Sequence, residues 1–211
     1  MPSHPPPLVG VPIKPFGVAK QRLHPRLDRV ARSRLGRAIA AHTLQTVAVA
    51  GGDAVVISGD SGVRSWAAEI GFSSEGEGPP GTGLDGAVTA LQKRAMAERR
   101  PWLVVHADLP LLYPADVGLV LEHLAEASAV IAPSHDGGTS ALGAYGPVVP
   151  SYGTGSYQRH LRSLSQLPDV RTVCRPGLAF DLDTVADLDM LSAAERASWI
   201  RNELEAIDSL P

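Results

Sequence analysis

The feature that most constrains this chain is its alternation of short apolar runs with longer stretches of helical periodicity. Residues 8–13, 54–58, 102–106 and 129–133 are short, rich in aliphatic side chains, and bounded by turn-forming or charged residues. Such runs read as strands buried on both faces. Between them, residues 26–49 repeat Leu27, Val30, Leu35, Ile39 and Leu44 at near-helical spacing, and residues 84–100 align Leu84, Val88, Leu91 and Ala95 on one face. Residues 61–70 suit a short helix capped by Ser61. Residues 114–127 suit another, with Pro114 at the first turn, where proline is tolerated.

This order predicts an α/β fold, a Rossmann-like, mostly parallel sheet with helices on both faces. The most apolar run, 102–106, is the expected central strand. The last third is less regular: a strand over 140–145, a helix over 156–164, a strand over 178–181, and helices from Val185 onward. A glycine- and proline-rich loop is expected over 75–83. No repeat or linker divides the chain, so a single domain over 1–211 is expected, with 1–7 and about 192–211 peripheral.

A net charge of −3 gives no reason to expect a nucleic-acid or membrane surface. Phosphate chemistry must then come from locally placed cations. No apolar run approaches the roughly 20 residues needed to cross a bilayer, and the proline-rich start lacks a signal-peptide pattern. A cytoplasmic protein is expected. The lone cysteine, Cys174, excludes an internal disulfide framework and reads as a small buried hydrophobe.

Open parallel sheets bind ligands beyond the carboxyl ends of their strands, which singles out three segments. The first strand runs into Lys14-Pro15-Phe16-Gly17-Val18-Ala19-Lys20-Gln21-Arg22. Three cations around one glycine suit a polyphosphate; a solvated basic turn is the other reading. The central strand ends in His106-Ala107-Asp108-Leu109-Pro110, where Asp108 is either a ligand for a hard cation such as Mg²⁺ or Mn²⁺ or a turn aspartate. Asp181 and Asp183 stand two apart and share one side of an extended segment. They either complete a metal site with Asp108, or Asp183 or Thr184 caps the next helix. Asp187, in that helix's first turn, is read as structural.

Two segments rich in glycine and hydroxyls follow the same logic: Asp136-Gly137-Gly138-Thr139-Ser140 and Tyr152-Gly153-Thr154-Gly155-Ser156. The second leads into a helix, where Ser156 either holds an anion or serves as an ordinary N-cap. Arg159 and His160, on the next turns, either meet an anion or lie on the surface. The chain has no Walker loop, no GxGxxG following a strand, no G-x-S-x-G and no H-E-x-x-H.

Taken together, residues 11–23, Gly83-Leu84-Asp85-Gly86-Ala87, Ala107-Asp108-Leu109-Pro110, Gly137-Gly138-Thr139-Ser140, Tyr152 to Ser156 with His160, and Asp181 to Thr184 with Asp187 and Leu188 resemble the motifs of one family. It is the phosphoenolpyruvate/2-phospho-L-lactate guanylyltransferase family of coenzyme F-420 biosynthesis. The resemblance implies a fold of the nucleotide-diphospho-sugar transferase type. It also implies GMP transfer from GTP to a small phosphorylated three-carbon acid. By matching motif, Asp108, Asp181 and Asp183 would hold Mg²⁺ or Mn²⁺. Thr139, Gly153 and Ser156 would hold the acid. Lys14 and Arg22 would face the triphosphate, with Lys20 assisting, and Gly83 and Asp85 would lie by the nucleotide. Asp85 departs from the asparagine expected there, and Ser140 and Ala141 from the threonine or asparagine more usual after Gly-Thr. A same-fold transferase acting on a molybdopterin or sugar phosphate, and a nucleotide-binding regulator without turnover, are the alternatives. A homodimer is expected only from how often such proteins form one.

Overall fold

The computed structural model describes residues 5–78 and 82–208. In chain order its elements are β1 (Leu8–Pro12), α1 (Arg29–Val49), β2 (Asp53–Ile57), α2 (Ser61–Glu69), β3 (Ser73–Glu75), α3 (Gly83–Ala97), β4 (Trp102–Val105), α4 (Pro114–Glu126), β5 (Ala129–Pro133), β6 (Thr139–Ala144), α5 (Ser156–Leu164), β7 (Val170–Thr172), α6 (Pro176–Ala179), α7 (Val185–Ala193) and α8 (Ser198–Asp208). The strands form one sheet in the order β3-β2-β1-β4-β6-β5-β7. All neighbours are parallel except β6, which runs antiparallel to both β4 and β5. β4 is the central strand, as its uninterrupted apolar run predicts.

Each central strand feeds two cores, because alternate side chains leave opposite faces. Leu8, Trp102 and Val104 pack under α3 and α5, while Val9, Val11, Leu103 and Val105 pack under α1, α2 and α4. Gly10 shares the face of Leu8, beneath α3. A methyl group there would sit 2.7 Å from the Leu91 side chain, so the glycine lets α3 lie close on β1. A third cluster joins the outer side of α1 to α7 and α8 through Leu35, Ile39, Leu188, Leu191 and Ile200. The segment expected to be peripheral after residue 192 thus contributes Ala197 and Ile200, both fully buried.

β6 is antiparallel because the connection from β5 is too short for a crossover. Residues 134–138 close a tight hairpin in which Ser134 N–H donates to the Gly138 carbonyl at 3.1 Å and Gly138 N–H to the Asp136 carboxylate at 2.8 Å. Gly137 sits in the left-handed region, at φ 83°.

Four local expectations need correction. Residues 178–181 are not a strand: Pro176 opens a single helical turn, α6, and the chain then runs extended. The strand of this region is β7, a three-residue edge strand whose Val-Arg-Thr sequence carries too little apolar character to be noticed. The expected loop over 75–83 begins with the last residue of β3, and its residues 79–81 lie outside the described residues. Asp60, not Ser61, caps α2, its carboxylate accepting from Val63 N–H at 2.8 Å. Cys174 is exposed, where the chain leaves the edge strand.

The fully buried Asp116 binds three parts of the fold together. It accepts from Tyr113 N–H at the start of α4, from Arg175 at 3.1 Å, and from Arg196 ahead of α8. Arg175 is the N-cap residue of α6, directly before the segment carrying Asp181 and Asp183. Asp116→Ala leaves two guanidinium groups unpaired and the first turn of α4 open. Because Arg175 and Arg196 keep 45% and 33% of their side chains exposed, we expect a loss of about 1.5–3 kcal/mol in urea unfolding; a loss below about 0.5 kcal/mol would show that solvent satisfies these groups equally well.

Candidate active site

An open cleft of about 960 Å³ lies over the carboxyl ends of β1 and β4. From β1 the chain steps outward to β2 on one side, and β4 lies on the other, so the cleft sits where the strand order reverses. Backbones diverge at such a point and leave a crevice. Lys14, Lys20, Arg22, Gly83, Asp108, Thr139, Gly153, Ser156, Asp181 and Asp183 all line it. Asp85 does not.

The acidic wall is assembled by a backbone contact. Beyond β4, the Asp108 carbonyl accepts a 3.0 Å hydrogen bond from Leu182 N–H. Leu182 is fully buried, and its two neighbours, Asp181 and Asp183, are thereby brought beside Asp108. One oxygen from each of the three carboxylates lies within 4.8 Å of the others. The two-residue spacing therefore serves the juxtaposition expected of it, although the segment is irregular and not a strand. Thr184 caps α7 and Asp187 returns the bond by accepting from Thr184 N–H at 2.7 Å, which leaves Asp187 structural, as read from its position.

Lys20 answers this acidity. Its ammonium lies 2.7 Å from Asp108 and 3.0 Å from Asp183, and its side chain is only 9% exposed. Its backbone is left-handed, at φ 56°, which is uncommon for a residue with a side chain. Burial pushes the Lys20 pKa down, but the Asp108 and Asp183 charges outweigh it and the net shift is upward. Burial pushes Asp108 up, but the Lys20 charge, the neighbouring His106 and the hydrogen bond from Lys20 together outweigh it, so this carboxyl falls below its usual range. Asp181 is met not by Lys20 but by the His135 ring, whose Nδ1 lies 3.1 Å from its carboxylate. Burial, with the Asp108 and Asp183 charges, raises it to about 6. One ammonium among three carboxylates leaves an excess of negative charge, and hard oxygen donors converging this closely fit a divalent cation.

The opposite wall is neutral and hydroxyl-rich. Thr139 opens β6, and its Oγ1 lies 2.9 Å from His160 Nδ1 and accepts from Ser156 Oγ at 3.2 Å. Ser156 is the first residue of α5 and not its cap; the cap is Gly155, in the left-handed region. His160 is completely buried, four residues on and on the same helix face. Arg159 is spent on the loop before α5, donating to Ser151 Oγ at 2.9 Å, to the Tyr152 carbonyl at 3.0 Å and to the Thr154 carbonyl at 2.6 Å. Asp85 joins the same work by accepting from Tyr152 N–H at 3.0 Å. An asparagine oxygen would accept that bond equally well, which gives the departure at this position a physical reading.

Two groups in the cleft wall escaped the sequence reading as site residues. His106 Nε2 and the Tyr152 hydroxyl are buried, and among the described residues neither has a hydrogen-bond partner. Their rings lie 5.6 Å apart. Burial lowers the His106 pKa and raises that of Tyr152, so both are neutral groups with unmet polar capacity. Only the fold, which closes the loop before α5 over β4, could show this.

The crowding of Asp181 has a testable consequence. Its folded-state pKa lies above the unfolded value, so the ionised carboxylate costs stability at neutral pH, and the cost fades as pH falls through 6 toward 4. Asp181→Asn removes it, and we expect a stabilisation of ~1–2 kcal/mol at pH 7.5 that disappears near pH 4. Millimolar Mg²⁺ should raise the melting temperature of the parent protein and leave that of the variant nearly unchanged. Equal gains from Mg²⁺ in both proteins would remove Asp181 from the cation site.

Comparison with known proteins shows the family and the fold. Residues 8–202 match the family model described as guanylyl transferase CofC like. A phosphoenolpyruvate guanylyltransferase of Rubrobacter xylanophilus is 38% identical over 191 residues, covering 87% of this chain and 92% of the relative. A 2-phospho-L-lactate guanylyltransferase of Methanothermobacter thermautotrophicus is 32% identical over 135 residues, covering 63% and 59%. Among solved structures, a nucleotide-diphospho-sugar-transferase-like protein of Desulfovibrio desulfuricans G20 superposes with a TM-score of 0.76 at 19% identity, covering 95% of this chain and 96% of the other. A 4-diphosphocytidyl-2C-methyl-D-erythritol synthase of Anaerococcus prevotii gives 0.59 at 11% identity, covering 92% and 96%. The sheet is thus that of the nucleotide-diphospho-sugar transferases, and the chain belongs to the CofC-like guanylyltransferase family.

Proposed function

We propose that this enzyme transfers GMP from GTP to a phosphorylated three-carbon acid, phosphoenolpyruvate, 2-phospholactate or 3-phosphoglycerate, in the cytoplasm and in the service of coenzyme F-420 biosynthesis. The observation that carries the reading is the meeting of three walls in one cleft: the basic loop after β1, the carboxylates after β4, and the hydroxyls of Thr139 and Ser156. Each wall matches a different part of the reactants. The guanylyltransferase relatives set the expected nucleotide and acids.

An oxygen of the acid's phosphate attacks the α-phosphorus of GTP; the bond to the bridging oxygen breaks, and pyrophosphate leaves with its electron pair. The nucleophile is already an anion, so no general base or covalent enzyme intermediate is required. Catalysis is then positioning and charge neutralisation. Thr139, Ser156 and the backbone at Gly153 hold the acid. Lys14 and Arg22 balance the charge that builds on the departing pyrophosphate, and Lys20 holds Asp108 and Asp183 in register. Gly83, at the start of α3, leaves room for the nucleotide. Asp108, Asp181 and Asp183 would hold Mg²⁺ or Mn²⁺, which supplies Lewis-acid neutralisation of phosphate oxygens when bound.

The direct test is pyrophosphate release with Mg²⁺, crossing GTP and ATP against the three acids. Turnover with GTP and at least one acid is expected, and absence of turnover across the grid would overturn the reading. Asp108→Asn should lower kcat by about 10²–10³-fold while the protein stays folded. Near-normal turnover in that variant would take Asp108 out of the chemistry.

A further inference from the structure

His160 is fully buried, and both of its ring nitrogens meet polar atoms of opposite demand. Nε2 lies 2.9 Å from the backbone N–H of Ser151. A backbone N–H can only donate, so Nε2 must be the bare, accepting nitrogen. The ring proton is then on Nδ1, which lies 2.9 Å from Thr139 Oγ1. Nδ1–H therefore donates to Thr139. Ser156 Oγ donates to the same oxygen at 3.2 Å. A threonine hydroxyl has two accepting positions and one proton to give. Both accepting positions are occupied, and what is left is the O–H itself, on a residue that lines the cleft.

We propose that His160 is a positioning residue that fixes the polarity of the Thr139 hydroxyl, so that Thr139 meets the substrate only as a hydrogen-bond donor. This rests on the reading of Thr139 as part of the acid site. A hydroxyl in an ordinary pocket turns to suit a donor or an acceptor. Here a ligand that offered N–H or O–H to Thr139 would face three protons around one oxygen. An ionised carboxylate or phosphate oxygen is the complementary partner. The site thereby selects for an anionic oxygen without placing a formal positive charge beside it.

The surroundings hold the ring to this role. The Ser151 N–H that sets the tautomer belongs to the loop clamped by Arg159 and Asp85. The Tyr152 ring packs edge-on against the imidazole, with centroids 4.8 Å apart. Burial holds the His160 pKa down, to about 4, so the ring stays neutral and keeps one donor and one acceptor at working pH. A protonated ring would confront Ser151 N–H with a second donor.

Two measurements test the proposal. In the full chain labelled with ¹⁵N-histidine, the His160 ring should show a protonated Nδ1 and a bare Nε2, without any ligand. The opposite tautomer overturns the proposal whatever the enzyme's substrate proves to be. In steady-state kinetics with GTP, Mg²⁺ and the acid that the parent protein uses, His160→Leu should raise KM for the acid about tenfold or more, with KM for GTP changed less than twofold. His160→Gln keeps an acceptor and a donor on one planar group and should recover much of that loss. Adding His160→Leu to Thr139→Val should cost little beyond Thr139→Val alone, because the histidine acts through the hydroxyl. Equal rises in both KM values, or full additivity of the two substitutions, would show that His160 only packs the core. A silent substrate grid with the predicted tautomer would instead fault the proposed function and leave the hydroxyl's polarity established.

Discussion

Crowding of like charge at the end of the central strand is the constraint around which this site is built. Asp108, Asp181 and Asp183 bring carboxylate oxygens within 4.8 Å of one another on a half-buried wall of the cleft. The arrangement is tolerable because the backbone holds it. The Leu182 N–H to Asp108 carbonyl bond joins segments far apart in the chain, and buried Leu182 anchors the join in the core. Lys20 neutralises part of the charge, at the expense of a left-handed backbone. Asp116, deeper in the fold, fixes Arg175 at the root of the same segment. Asp181 carries the remaining repulsion as a raised pKa. A fold that keeps three carboxylates together in this way gives up stability at the site proposed for the cation.

The two walls of the cleft use different physics. The acidic wall works through net charge and its neutralisation. The hydroxyl wall works through neutral groups whose donor and acceptor roles are settled in advance by Ser151 N–H, His160 and Ser156. Neutral dipoles set in place by the fold need little reorganisation when an anion arrives. The walls meet because β6 is antiparallel. Its first residue, Thr139, lies at the same end of the sheet as the last residue of β4, and His106 N–H donates to the Ser140 carbonyl at 2.9 Å across that junction. A parallel β6 would put its first residue at the opposite edge, away from Asp108. The short hairpin over residues 134–138 is therefore a functional feature as much as a connection.

How legible a part of this molecule was in the sequence depended on how local its cause is. The runs at 8–13, 54–58, 102–106 and 129–133 became β1, β2, β4 and β5 because burial on both faces demands an apolar residue at every position. β7 carries Val-Arg-Thr on an edge and leaves no such trace, and the turn at Pro176 replaced an expected strand because proline at that position favours a helical start. The segments that line the cleft could be named from chemistry and resemblance, since carboxylates, cations and hydroxyls stand out beside strand ends. Asp85 carried the same kind of signal and faces instead the backbone of the loop before α5.

The sequence by itself determined the α/β architecture, the central place of residues 102–106, and the short list of residues with chemistry to offer, because these follow from periodicity and from residue type. The tertiary structure alone decided that the cleft opens between β1 and β4, that Lys20 reaches Asp108 and Asp183, that Arg159 serves the loop, and that His160 is buried against Thr139. Those are relations between atoms distant in the chain. They depend on strand order, on the direction of β6 and on which hydrogen-bond partners remain once the core has closed, none of which is carried by any short stretch of residues.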